Sequence, residues 1–268
     1  MNLFFRISRA KTRFDCRNKL ISSKEEYAAF LKKCADDYKP QVLTVTDNTA
    51  KSEAKQSELF CVIPEHRVLG KKYGFPYSAG LSDKENAFAI MRYLTEHTYY
   101  CGATCNFLPD DAAEILPNSF DLPYEKALNC RSKAISLTDI LNSYGIKALP
   151  VCCMSNDGGS HFLVNVWLKE ENRFVALDPS FNCYFSNENG RELSIYELRE
   201  CVLNNSSVTV NGYSFLESEE LKDYYFNAFI KDLIANISTW KTNKRYGKEL
   251  SKVCGVVFDT RVPKTLAL

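Results

Sequence analysis

The sequence predicts a mixed fold of helices and antiparallel strands, and three observations carry that expectation. Two helical patterns near the amino end open on capping signatures, Ser23-Lys24-Glu25-Glu26 and Ser82-Asp83-Lys84-Glu85. A third opens at Cys130, with Ala134, Leu137, Ile140 and Leu141 on one face up to Gly145. Beyond it, two apolar runs flank the polar turn Lys169-Glu170-Glu171-Asn172 and read as an antiparallel hairpin.

In each capping signature a serine accepts from a backbone amide and the glutamate three residues later reaches back to the serine amide. Tyr27, Phe30, Leu31 and Cys34 follow the first at helical spacing, which gives a helix over about 23–37 that stops before Pro40. Val42 and Val45 suggest a short strand, 47–58 is a polar linker, and 59–69 is strand-like but interrupted at Pro64. Ala87, Ile90, Met91 and Leu94 form the apolar face of the second capped helix. The stretch 98–123 reads as irregular, with one short helix at 110–116. Then come a helix at 130–144, strands near 147–154, 160–168 and 173–178, and a helix near 194–201. Leu221, Tyr224, Tyr225, Ala228, Phe229 and Leu233 make a core-facing stripe on a long helix over 217–240, and 254–258 closes the chain's pattern as a strand. The expected organisation is an α/β extension at 1–70, a core at 71–215, and a helical extension at 216–268 packed on that core.

Composition narrows the function. With 34 basic and 33 acidic side chains the net charge is +1, too balanced to leave a footprint for nucleic acid or an anionic membrane. The apolar run at the amino end breaks at Arg6, short of the roughly 7–15 residues of a secretory apolar region. No apolar stretch approaches the roughly 20 residues of a membrane span. A soluble, cytoplasmic protein is the expectation. The 11 cysteines are odd in number and irregular in spacing, which speaks against a disulfide framework. Zinc is the other reading, through Cys101, Cys105, Cys152, Cys153 and Cys183, but no C-x2-C pair occurs and there are three histidines. Buried thiols packing as small hydrophobes fit better, and no metal is expected.

One constellation carries chemistry. Cys130 lies in the first turn of its helix, where unpaired amides and the positive end of the dipole favour an anion. Thiols so placed can have pKa values of about 3.5–7.5, against about 8.5 for a free thiol. If the hairpin loop is 168–171, facing residues sum to 339: Trp167 meets Asn172, Asn165 meets Phe174, Leu163 meets Ala176, and His161 meets Asp178. Directly opposed side chains have Cβ atoms about 4.5–5.5 Å apart, within reach of an Asp–His hydrogen bond. Each residue alone has a bland reading, His161 as a satisfied strand histidine and Asp178 as the first half of an Asp-Pro turn. Together they form a Cys–His–Asp set, in which His161 moves the thiol proton, Asp178 orients the ring, and Cys130 attacks a carbonyl to give a thioester.

These pieces resemble the transglutaminase-like superfamily, relatives of the papain-fold cysteine proteases. The likeness rests on Cys130 opening a helix, Gly145-Ile146-Lys147-Ala148, a strand begun by His161, and Leu177-Asp178-Pro179-Ser180, in the family's order, and it spans about 83–180. It implies a papain-like α+β fold with the nucleophile helix packed on an antiparallel sheet. It also implies acyl chemistry on peptide or isopeptide amides, by hydrolysis or by transfer to an amine, with hydrolysis favoured and a protein or peptide as substrate. No cofactor is implied, and no calcium loop occurs. Leu128, Leu163 and Asn165 stand where family members often carry glycine, an aromatic and an acidic residue, and these departures bear on substrate preference. Asn165 is therefore a candidate substrate contact, and the Cys130 amide, Tyr99 and Tyr100 are candidate oxyanion donors. The alternative to an enzyme is a peptide- or protein-binding module on the same fold.

Overall fold

Local chemistry starts most of the helices. Ser23, Ser82 and Ser194 each close a reciprocal capping box, with Glu26, Glu85 and Glu197 respectively. They open α1 (Lys24–Asp37) and two later helices, and each such cap stabilises its helix by roughly 0.5–2 kcal/mol. The computed structural model describes residues 21, 23–39, 62–102, 111–121, 127–155, 159–212, 215–239 and 256–257. The strand expected at Val42–Val45 and the linker at 47–58 lie outside the described residues.

After α1 come α2 (Pro64–Lys72), α3 (Asp83–His97), β1 (Tyr99–Tyr100), α4 (Ala112–Phe120), β2 (Ala127–Leu128) and α5 (Cys130–Ser143). The strand-like reading of 59–69 is corrected here: Pro64 is the first residue of a helix, where its missing amide costs nothing and its fixed φ suits the first turn. The helix α5 ends through Tyr144, and Gly145 takes φ +87°, the left-handed position that favours glycine.

The sheet follows: β3 (Ala148–Met154), β4 (Ser160–Leu168), β5 (Arg173–Asp178) and β6 (Cys183–Ser186), then α6 (Ile195–Leu203) and β7 (Thr209–Gly212). Next are the short helix α7 (Glu219–Asp223), a π-helical stretch at Tyr224–Ile230, a single 3-10 turn at Leu233–Ala235, β8 (Asn236–Thr239) and β9 (Val256–Val257). The strand order is β7-β6-β5-β4-β3-β8-β9, and every neighbouring pair in it is antiparallel. The class is therefore α+β. Instead of the single long helix expected over 217–240, the chain widens into π turns and then becomes a strand on β3. Asn236–Thr239 and Val256–Val257 thus join the sheet as strands, while the helical turns before them pack on its face.

The sheet is covered on both sides. On one face Phe162, Val164, Val166 and Leu168 of β4 meet α3, α4 and α5 through Leu94, Leu116, Leu137 and Leu141. On the other, Leu163, Ala176 and Val151 meet α1, α6 and the π segment through Leu31, Leu198 and Tyr225. Alternate residues of a strand point to opposite faces, so a strand buried on both reads as an unbroken apolar run. Cys130 touches both cores, because the amino end of α5 emerges where they meet. Among the described residues no helix is long and apolar enough to cross a membrane.

A buried ionic clamp joins α2, α4 and α5. His66 Nε2 lies 2.5 Å from Asp111 Oδ1 and 3.8 Å from Asp139 Oδ2, with all three side chains buried. Burial pushes the His66 imidazole down, but the Asp111 hydrogen bond and the Asp139 and Asp111 charges overcome it and raise its pKa above 6.5. Folding therefore strengthens proton binding, so the clamp's contribution is complete below about pH 6.5 and fades as pH rises through the folded-state value. In urea unfolding, the stability lost by His66→Gln should be largest near pH 6 and shrink as the pH rises. A gap that widens with pH would contradict the clamp.

Candidate active site

The hairpin of β4 and β5 forms with a register two residues away from the expected one. Leu168 pairs with Arg173, Trp167 with Phe174 and Asn165 with Ala176, so facing numbers sum to 341 and the loop is 169–172. Asn172 turns the corner at φ 52°, a left-handed conformation that asparagine tolerates. His161 and Asp178 are accordingly diagonal rather than directly opposed. Diagonal neighbours lie on the same face, and these two still meet: His161 Nε2 donates to Asp178 Oδ2 at 2.8 Å.

The Asp178 carboxylate is fully buried and accepts three hydrogen bonds. Besides His161, Tyr225 Oη donates to Oδ2 at 2.7 Å and the Ser180 amide donates to Oδ1 at 2.7 Å. Burial alone would push this carboxyl up. The His161 charge and hydrogen bond, then Tyr225 and the Ser180 amide, hold it below the usual carboxylate range. His161 is fully buried too, which pushes its imidazole down, yet the charges of Asp178 and Cys130 and hydrogen bonds to both push it up to about 10. Its Nδ1 has no partner at ordinary hydrogen-bond geometry. The Cys130 sulfur is the group on that side whose charge and weak hydrogen bond reach the ring. Long catalytic hydrogen bonds are common in sites without substrate.

Cys130 is the first residue of α5 and half-buried. Asn129, the N-cap, accepts from the Ser132 amide at 2.8 Å and fixes where the helix begins. None of the seven described cysteines forms a disulfide. Around the ring, Phe229 stands edge-on to His161 at 5.0 Å between centroids and Phe181 lies at 6.1 Å.

The other candidates separate. Tyr100 is buried, and its hydroxyl is held well above its ordinary pKa first by burial and then by the Cys130 and Asp178 charges, which puts it beside the site. Tyr99, its half-buried neighbour in β1, pairs with Ala127, and no contact ties it to the triad. Asn165 has a structural partner: its Oδ1 accepts from the Ile195 amide at 3.2 Å and fastens the start of α6.

Two residues went unread in the sequence. Tyr225 was counted in an apolar stripe, although a buried tyrosine hydroxyl generally needs a partner. Lys133, three residues after Cys130, is fully buried, and its Nζ donates to the Thr98 carbonyl at 3.2 Å. Burial pushes Lys133 down to about 7, against the pull of Asp178. A charged residue inside an otherwise apolar helix face was the available signal.

Among the described residues, His66, Asp111 and Asp139 are the one set whose possible metal-ligand atoms converge. The fit is poor. An ion with bonds of about 2.0–2.2 Å sets tetrahedral donors roughly 3.4 Å apart, whereas His66 and Asp111 are hydrogen-bonded at 2.5 Å. Both carboxylates also accept amides at the start of α4, Asp111 from Ala113 and Asp139 from Ala112.

No family model and no curated protein matches the chain. Among solved structures, a crystal structure described as a "putative protease" from Parabacteroides distasonis is similar at a TM-score of 0.32 and 11% identity, over 58% of this chain and 26% of that one. So slight a likeness carries no argument about fold or activity.

Tyr225→Phe removes one donor from a buried carboxylate while keeping the ring. Since hydrogen bonds to charged groups contribute about 1.5–3 kcal/mol, urea unfolding should show a loss of that order. No measurable loss would mean that Tyr225 does not stabilise Asp178.

Proposed function

We propose that the chain is a cysteine-nucleophile acyl-transfer enzyme, of the class that joins papain-like proteases and transglutaminases. Within that class the reading is a hydrolase of peptide or isopeptide amides. The observation that carries it is the 2.8 Å bond between buried His161 and Asp178, on a ring that the charge and hydrogen bond of Cys130 also reach.

The division of labour follows from the partners. Asp178 is tied by three donors and cannot swing away, so it fixes which His161 nitrogen carries the inner proton and how the ring lies. Nδ1 already holds the proton that has left the Cys130 thiol, the sulfur attacks the carbonyl, and the same proton then goes to the departing amine. The amide dipoles at the start of α5 favour negative charge at the sulfur and at the developing oxyanion. The Cys130 amide is one donor to that oxyanion and the Tyr100 hydroxyl a second candidate. Water then cleaves the thioester, and an amine in its place would give transfer.

A dilute thiol electrophile at neutral pH should label Cys130 well ahead of the other cysteines, read by peptide mapping. In Asp178→Asn the carboxylate charge is lost and a single oxygen is left for three donors, so the ring is less firmly oriented and labelling of Cys130 should slow while the fold, followed by circular dichroism, persists. Even labelling across all cysteines, or no change in the variant, would point instead to a binding module.

A further inference from the structure

A cavity of about 1000 Å³ lies beside the triad, at the upper end of the range of about 300–1,000 Å³ usual for ligand sites. Three of its lining residues neighbour the catalytic ones. Ser160 precedes His161 in β4, Phe229 stands against the His161 ring, and Tyr100 feels the Cys130 charge, and all three line the cavity. Its far wall is α1, through Ala29 and Phe30, and Leu233 closes it from the 3-10 turn.

The charges on this wall are largely committed within the protein. Lys33 pairs with Asp37, Tyr38 Oη donates to Asp232 Oδ1 at 3.3 Å, and Glu26 accepts from the Ser23 amide. Apart from Lys39 and two serines, what they leave for recognition is apolar: Phe30 and Phe229 meet edge-on at 5.6 Å, and Phe30 meets Tyr100 at 6.1 Å. A charged side chain entering here would lose hydration for little return, whereas an aromatic or branched aliphatic one would replace water on ring faces.

We propose that this cavity is the specificity pocket of the enzyme, and that it selects linear peptides bearing a large apolar side chain within a few residues of the scissile amide. The inference rests on the acyl-transfer reading and adds the substrate class to it. Selection comes from helix α1 and the π segment, both outside the stretch of family resemblance.

Ala29 gives a clean test, because it is an exposed helical residue at the cavity wall. The wild-type protein is incubated with a mixture of linear peptides and the cleavage sites are read by mass spectrometry. Phe, Leu, Ile or Val should be enriched by about 10-fold or more at one position near the cut, within the range of about 10–200-fold that one apolar contact gives. Ala29→Trp should weaken the enrichment by occupying part of the pocket. Ala29→Glu should replace it with enrichment of Lys or Arg at the same position, a gain that misfolding cannot mimic. Selective iodoacetamide labelling of wild-type Cys130 separates the two ways to fail. If labelling is selective but linear peptides stay uncut, or the preference survives both variants unchanged, the pocket assignment is wrong while the nucleophile stands. If labelling is unselective, the reading beneath it falls and takes the pocket with it.

Discussion

The arrangement depends on one buried carboxylate. Asp178 is sealed from water, and an unpaired anion there would cost several kcal/mol. Three donors from three stretches of chain meet it: a histidine from the neighbouring strand, an amide just beyond its own strand, and a phenol from the π segment. Each donor restrains the carboxylate, and the carboxylate in turn draws those stretches together. The path of the chain beyond 216 is therefore coupled to the orientation of the His161 ring.

The two-sided sheet explains why the sulfur sits at a seam. One core holds α5 against β3 and β4, and the other holds α1, α6 and the π segment against the opposite face. His161 points to the second side, while Cys130 belongs to a helix on the first. They approach because the helix starts at the sheet's end, where both cores touch Cys130. On the proposed reading, the helix start favours negative charge, the sheet supplies the base, and the cavity beside Phe229 gives room for substrate.

Much of this was legible in the sequence, for physical reasons. Capping boxes at Ser23 and Ser82 depend on residues three apart and need no tertiary context. The His161–Asp178 meeting survived a wrong register because the error was two residues, and strand faces repeat every two; an error of one would have parted them. Asn172, able to take a left-handed φ, was the unused clue to the true loop. The stretch from 217 to 240 misled because its apolar spacing suits a helix, while tertiary demands, Tyr225 reaching Asp178 and Asn236–Thr239 pairing with β3, overrode that preference. The partner of Asn165 was out of view for a similar reason: the Ile195 amide is 30 residues away and invisible to local pattern. Pro64 looked like a strand breaker because a proline that ends one element and one that begins another are the same letter.

The central claim is that sulfur, imidazole and carboxylate act as one charge-coupled unit, and the His161 ring reports on it directly. Nitrogen-15 NMR of histidine-labelled protein, followed against pH, reads its protonation. The account predicts that His161 keeps its second proton through neutral pH, with a midpoint far above 6.5, and that Cys130→Ala moves the midpoint down. A ring that titrates near 6.5 and ignores the loss of the sulfur would contradict it.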